Sequence, residues 1–143
     1  VSDGYPIDLR QRLGLDCPGV LWAKGDLSIL EKPRVSLVGS RDLETENRVF
    51  AETVGAEAAR QGIVLVSGNA RGSDKIAQTA ALRHGGRVIS VVADSLLDHP
   101  TREHVLYLSE NGYDELMYKV VTNPTEPSYA YFINNGMTRK NRE

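Results

Sequence analysis

Two short strings in this 143-residue chain combine small residues, hydroxyls and arginine in a way suited to holding an anion. The first is Gly39-Ser40-Arg41; the second is Ser67-Gly68-Asn69-Ala70-Arg71-Gly72-Ser73-Asp74. Each follows a short apolar run and precedes a helical pattern, so each reads as strand, tight turn, helix. Glycine lets a backbone approach a ligand closely, serine donates from its hydroxyl, and a guanidinium grips phosphate oxygens bidentately. A helix N-terminus adds unpaired N–H groups and the positive end of a dipole. Parallel sheets bind ligands outside the carboxyl ends of their strands, where both strings would lie. One such turn could be shaped by geometry alone. Two, each with an arginine, point to a single phosphate- or nucleotide-binding edge. Asp74 suits either a cap on the second helix or a group that selects against a second phosphate. Lys75 and Gln78 lie on the first turns of that helix, within reach of a ligand. The one dense basic segment, Arg139-Lys140-Asn141-Arg142, follows Tyr129, Tyr131 and Phe132 and is expected to return to the same edge.

Other chemistries lack their signatures. Neither turn carries Gly-x4-Gly-Lys-Ser/Thr or Gly-x-Gly-x-x-Gly. His84, His99 and His104 have no metal-ligand spacing, so no metal and no cofactor is assigned. No Ser–His–Asp or Cys–His arrangement can be built, and Cys17, the single cysteine, excludes an internal disulfide and fits a reducing, cytoplasmic setting. The charge of −2 gives no global attraction for nucleic acid, so any such binding needs a local patch. No apolar run reaches membrane-spanning length. The chain starts without Met and stops just after a basic cluster, and it is read as an excerpt of a longer protein.

The elements that must position these turns follow from periodicity. Residues 1–34 form a lead-in to be packed on the sheet, with a short helical pattern over 7–13, a possible strand over 20–24, and Trp22 covering a sheet edge. Residues 35–143 form the main domain. Its first strand, 35–38, is apolar enough to be buried on both faces. A helix over 44–61 should pack through Phe50, Val54 and Ala58, flanked by Val49, Thr53 and Ala56. A strand over 63–66 leads to a helix over 73–84 with Ile76, Ala77, Ala80 and Ala81 inward, then a strand over 87–92. This βαβαβ order implies a Rossmann-like three-layer α/β domain with a mostly parallel sheet. Beyond it, 101–111 reads as a helix capped by Thr101, 116–121 as a fourth strand, and 122–128 as a loop.

Several strings together resemble the DNA-processing protein A (DprA/Smf) family, within the wider SMF/DprA-LOG group of Rossmann-like domains. They are Tyr5-Pro6, Pro18-Gly19-Val20-Leu21 with Gly25, Gly39-Ser40-Arg41, the 67–74 string, Ala81-Leu82 with Gly85-Gly86, and Arg139-Lys140-Asn141-Arg142. The resemblance implies a protein, not an enzyme, that binds single-stranded DNA, acts in natural transformation or recombination, helps load a recombinase and commonly forms dimers. On the family's motif, Gly39, Ser40, Arg41, Ser67, Gly68, Arg71, Gly72 and Asp74 line a phosphate pocket that Arg139, Asn141 and Arg142 close. The chain departs from the family at Asn69, Ser73 and Gln78, and in the segment Ala93-Asp94-Ser95-Leu96-Leu97-Asp98-His99-Pro100. Related domains suggest two rival functions: a sensor of a nucleotide or nucleotide-derived signal, and a LOG-like nucleotide phosphoribohydrolase. The latter's Pro-Gly-Gly-x-Gly-Thr motif with its Glu is absent.

Overall fold

Short runs rich in β-branched and aromatic side chains favour strands, and six strands occur among the described residues. A computed structural model describes residues 11–16, 20–94, 96–109 and 129–133. Its strands are β1 (Val20–Lys24), β2 (Arg34–Ser36), β3 (Val64–Ser67), β4 (Val88–Val91), β5 (Val105–Ser109) and β6 (Tyr129–Ile133), and its long helices are α1 (Thr45–Arg60) and α2 (Ser73–Arg83). They form one sheet in the order β2-β3-β4-β5-β1-β6. Neighbours from β2 to β5 run parallel, whereas β1 is antiparallel to both β5 and β6. The mostly parallel α/β architecture is the one expected. No helix among the described residues is long and apolar enough to cross a membrane.

Each face has its own core. Leu65, Val88 and Val105 stand side by side in register on the face that receives Ala51 of α1 and Ala77 and Ala81 of α2. On the other face Ile89, Leu106 and Leu21 meet Ile29, from a 3-10 turn over Leu27–Glu31. Burying a side chain such as Leu65, Ile89 or Leu106 contributes about 1.5–3 kcal/mol. The next row beyond Leu65 on the helix face is polar: Ser67, Ser90, Tyr107 and Lys24 are successive register partners. That row leads to the carboxyl ends of the parallel strands.

The departures from expectation have local causes. Helix α1 packs through Ala51, Gly55 and Ala58, while Val49 and Phe50 are exposed. A Cβ on Gly55 would collide with the Ala77 carbonyl, so the two helices meet where only a minimal side chain fits. Phe50 is therefore turned away. Strand β2 is one of the two outer strands among those described, and its three residues are exposed rather than buried on both faces. The stretch read as a helix over 101–111 contains β5, every residue of it buried between β4 and β1. His104 has φ of 66°, which breaks a helix there, and Val-Leu-Tyr-Leu suits a central strand flanked on both sides. Trp22 is buried, as its type suggests, but not at an edge: β1 lies between β5 and β6, and the ring sits in the helix-side core. The expected strand over 116–121 and loop over 122–128 lie outside the described residues, as does most of the 7–13 helical pattern. Residues 11–13 of that pattern are helical.

Candidate phosphate-binding edge

The two sequence-predicted turns meet. Gly39 packs so tightly on α2 that a Cβ there would lie 2.5 Å from the Ser73 hydroxyl. Gly72 has φ of 85°, and a Cβ on it would approach the Ser40 and Arg41 carbonyl oxygens to 2.5 Å. Both positions need glycine, one for close approach and one also for its left-handed backbone. The Ser73 N–H donates to the Ser40 carbonyl at 3.1 Å and locks one turn onto the other.

That lock changes the chemistry of the edge. The sequence implied free N–H groups at a helix N-terminus, but Ser73 N–H is held by Ser40, and Lys75 N–H donates to the Ala70 carbonyl at 3.1 Å. Asp74 does not cap α2 either. Gly72 is the N-cap and has no side-chain capping bond. The buried Asp74 carboxylate instead accepts from Gly68 N–H at 2.9 Å. The reason is geometric: a left-handed Gly72 brings the helix start back under the end of β3, so the carboxylate finds Gly68 before its own helix. Beside it the Gln78 side-chain amide donates to the buried Ser67 hydroxyl. The Ser40 hydroxyl is committed locally, accepting from Asp42 N–H at 3.2 Å and donating to the Asp42 carbonyl at 3.0 Å. Helix α1 begins only at Thr45, so its N-terminus does not follow Arg41 directly.

The charged groups left at the surface are side chains. Arg41 is exposed and has no ion-pair partner among the described residues. Arg71 lies 3.6 Å from the Asp42 carboxylate, both groups largely in solvent, a pairing that is cheap to break. Asn69 adopts φ of 62° and is half-buried. Lys75 is exposed and turns toward an open groove of about 420 Å³ between α1 and α2, shared with Glu52, Ile76, Arg83 and His84. The structure thus brings Gly39, Ser40, Arg41, Ser67, Gly68, Asn69, Arg71, Gly72, Ser73 and Asp74 to one edge. Arg139, Asn141 and Arg142 lie outside the described residues. No group of His, Cys, Asp and Glu able to hold a metal occurs among the described residues.

A latch that sequence reasoning missed braces the neighbouring loop. Lys24, buried at the end of β1, donates its ammonium to the Leu96 carbonyl at 3.1 Å and the His99 carbonyl at 2.6 Å. His99 Nε2 lies 2.7 Å from Asp94 Oδ1, and this hydrogen bond holds the Asp94 carboxyl below its ordinary range. The imidazole stacks on Tyr107 at 5.1 Å, and Ser109 Oγ donates to the Asp94 carbonyl at 3.0 Å. No local pattern marks Lys24 as buried; only the antiparallel β1–β5 pairing, which sets Lys24 opposite Tyr107, brings these groups together.

Residues 1–134 match the family model of DNA recombination-mediator protein A. The chain belongs to that family. It is 38% identical over 96 residues to a DNA processing protein DprA of Streptococcus pneumoniae, covering 67% of this chain and 33% of that protein. A DprA of Bacillus subtilis is 35% identical over 122 residues, with coverage of 77% and 40%. Protein Smf of Escherichia coli is 38% identical over 106 residues, with coverage of 71% and 27%. The chain therefore spans well under half the length of these relatives. Among solved structures, DprA of Streptococcus pneumoniae superposes with a TM-score of 0.67 at 35% identity, covering 79% of this chain and 42% of that one. A Helicobacter pylori DprA, described for its single-stranded DNA binding mode, gives 0.59 at 32% identity, with coverage of 69% and 50%. Both the family and the mostly parallel α/β fold expected from the motifs are those found.

Proposed function

We propose that this edge binds the phosphate backbone of single-stranded DNA, in a DNA-processing protein that acts in transformation and recombination and performs no catalysis of its own. The observation that carries the reading is the interlock of two turns that leaves Arg41 and Arg71 at the surface of one edge. With several backbone N–H groups engaged internally, recognition falls to the guanidiniums, which read phosphates and carry no base preference. Kinship with DprA proteins, one of them described for its single-stranded DNA binding, supports this choice of ligand. Arg139, Asn141 and Arg142 belong to the proposed site on the family motif. The same reading gives the protein a cytoplasmic setting, with a recombinase and a second copy of itself as partners.

The test is oligo-dT affinity measured across a salt series. Binding that weakens steeply with salt is expected, since each neutralised phosphate releases counterions. Undetectable or salt-insensitive binding, together with a mononucleotide that raises the melting temperature, would overturn the DNA reading. That outcome would favour a nucleotide-sensing module. One observation supports this second reading: Asp42 beside Arg71 offsets one of the two arginines, which suits a single phosphate group better than a strand.

A further inference from the structure

We infer that Gln78 is a positioning residue for this edge, acting through Ser67 as one half of a two-point clamp whose other half is Asp74. The inference rests on the phosphate-binding reading of the edge. Asp74 and Gln78 are four residues apart on α2, so their side chains rise from the same helix face, one turn above the other. Both are buried, and both reach the end of β3. Asp74 holds the Gly68 N–H at 2.9 Å, and Gln78 holds the Ser67 hydroxyl. Two consecutive residues, the last of the strand and the first of the turn, are thereby fixed through different atoms. Residues 69–72 span from this clamp to Ser73, which is tied to the Ser40 carbonyl. Arg71 is carried on a short bridge anchored at both ends, so the direction of its guanidinium depends on where the clamp sets the bridge.

Ser90 sharpens the role of Gln78. It is the register partner of Ser67 on β4, is fully buried, and its hydroxyl has no hydrogen-bond partner among the described residues. If Gln78 lost its amide, the Ser67 hydroxyl could turn to Ser90, and a clamp bond from the helix would become a bond within the sheet. The end of the strand would stay satisfied while its tie to α2 was lost. Such a change moves the turn without unfolding the domain.

The experiment compares wild-type protein with Gln78→Met, which keeps length and burial but cannot donate, and with Gln78→His, whose ring N–H can. Amide resonances of residues 68–71 and affinity for an oligo-dT probe are followed together with the melting temperature. For Gln78→Met we expect shifted amides at 68–71 and an affinity lower by about fivefold, the weight of one hydrogen bond. The salt slope should stay unchanged, because the number of phosphates contacted is the same. Gln78→His should restore both readouts. Unmoved amides in Gln78→Met, unmoved affinity where wild type binds, or failure of Gln78→His to rescue overturns the clamp. Failure of wild-type protein to bind oligo-dT overturns the DNA reading instead, and the amide resonances then decide the clamp by themselves.

Discussion

The two turns at the proposed binding edge look alike in sequence and differ in construction. The 67–74 turn is held from inside, with buried Ser67, Ser73, Asp74 and Gln78 engaging its backbone and hydroxyls. The Gly39–Arg41 turn follows an exposed strand and rests on its partner through the Ser40 carbonyl. One turn is the scaffold and the other is laid onto it. An arginine in each does not make them equal, since Asp42 stands beside Arg71 whereas Arg41 has no ion-pair partner among the described residues.

The largest effect should come from forcing the turns apart. Gly72→Ala places a Cβ against the Ser40 and Arg41 carbonyls at a left-handed residue, and it should cost about 2–3 kcal/mol of stability, read from denaturant midpoints. Gly39→Ala meets the Ser73 Oγ and Cβ rather than backbone carbonyls, and at a residue without a left-handed φ, so it should cost less. Next comes Asp74→Ala, which leaves the Gly68 N–H without its acceptor and should destabilise by about 1–3 kcal/mol. If Gly39→Ala proves as costly as Gly72→Ala, the distinction between scaffold and overlay fails.

Binding should separate the arginines without touching stability. Arg41→Ala should weaken oligo-dT binding by about 1–3 kcal/mol, and Arg71→Ala by less. Asp42→Ala should tighten binding by releasing Arg71, with unfolding free energy changed by no more than ~0.5 kcal/mol because the pair is exposed. Equal losses for the two arginines in a titration at fixed salt would erase the asymmetry.

The smallest effect lies at the far end of α1, away from the edge. There hydrogen bonds from Arg60 and then Gln61 hold the Glu57 carboxyl down to about 2. A carboxylate with a lowered folded-state pKa adds stability above its ordinary value and loses it as pH falls through the lowered one. The melting-temperature gap between wild type and Glu57→Gln should therefore be small and constant above the ordinary carboxyl value of 4.5, and close as pH falls toward about 2. It should shrink with salt, and oligo-dT affinity should not change.

The chemistry of the edge was legible because it depends on residue type next to a strand end. Gly39, Gly72 and the two arginines declare themselves in that way, and periodicity marked α1, α2, β3 and β4 to within about two residues. Whatever depended on rotation or pairing was not legible. An amphipathic pattern ranks Phe50 above Gly55 for burial, yet a helix crossing at Ala77 admits only glycine. The run Val-Leu-Tyr-Leu fits a helix or a strand, and its partners β4 and β1 decided for the strand.

Local sequence by itself determined where the chain turns, which turns carry small residues and arginine, and to which family the chain belongs. Tertiary structure alone decided which of those turns' N–H groups remain available, that Asp74 reaches Gly68 instead of capping its own helix, and that Lys24, Asp94 and His99 meet. The reason is physical. Strand and turn propensities act over a few neighbouring residues, whereas a buried polar group takes whichever partner the packed sheet brings within hydrogen-bond distance, however far away in the chain.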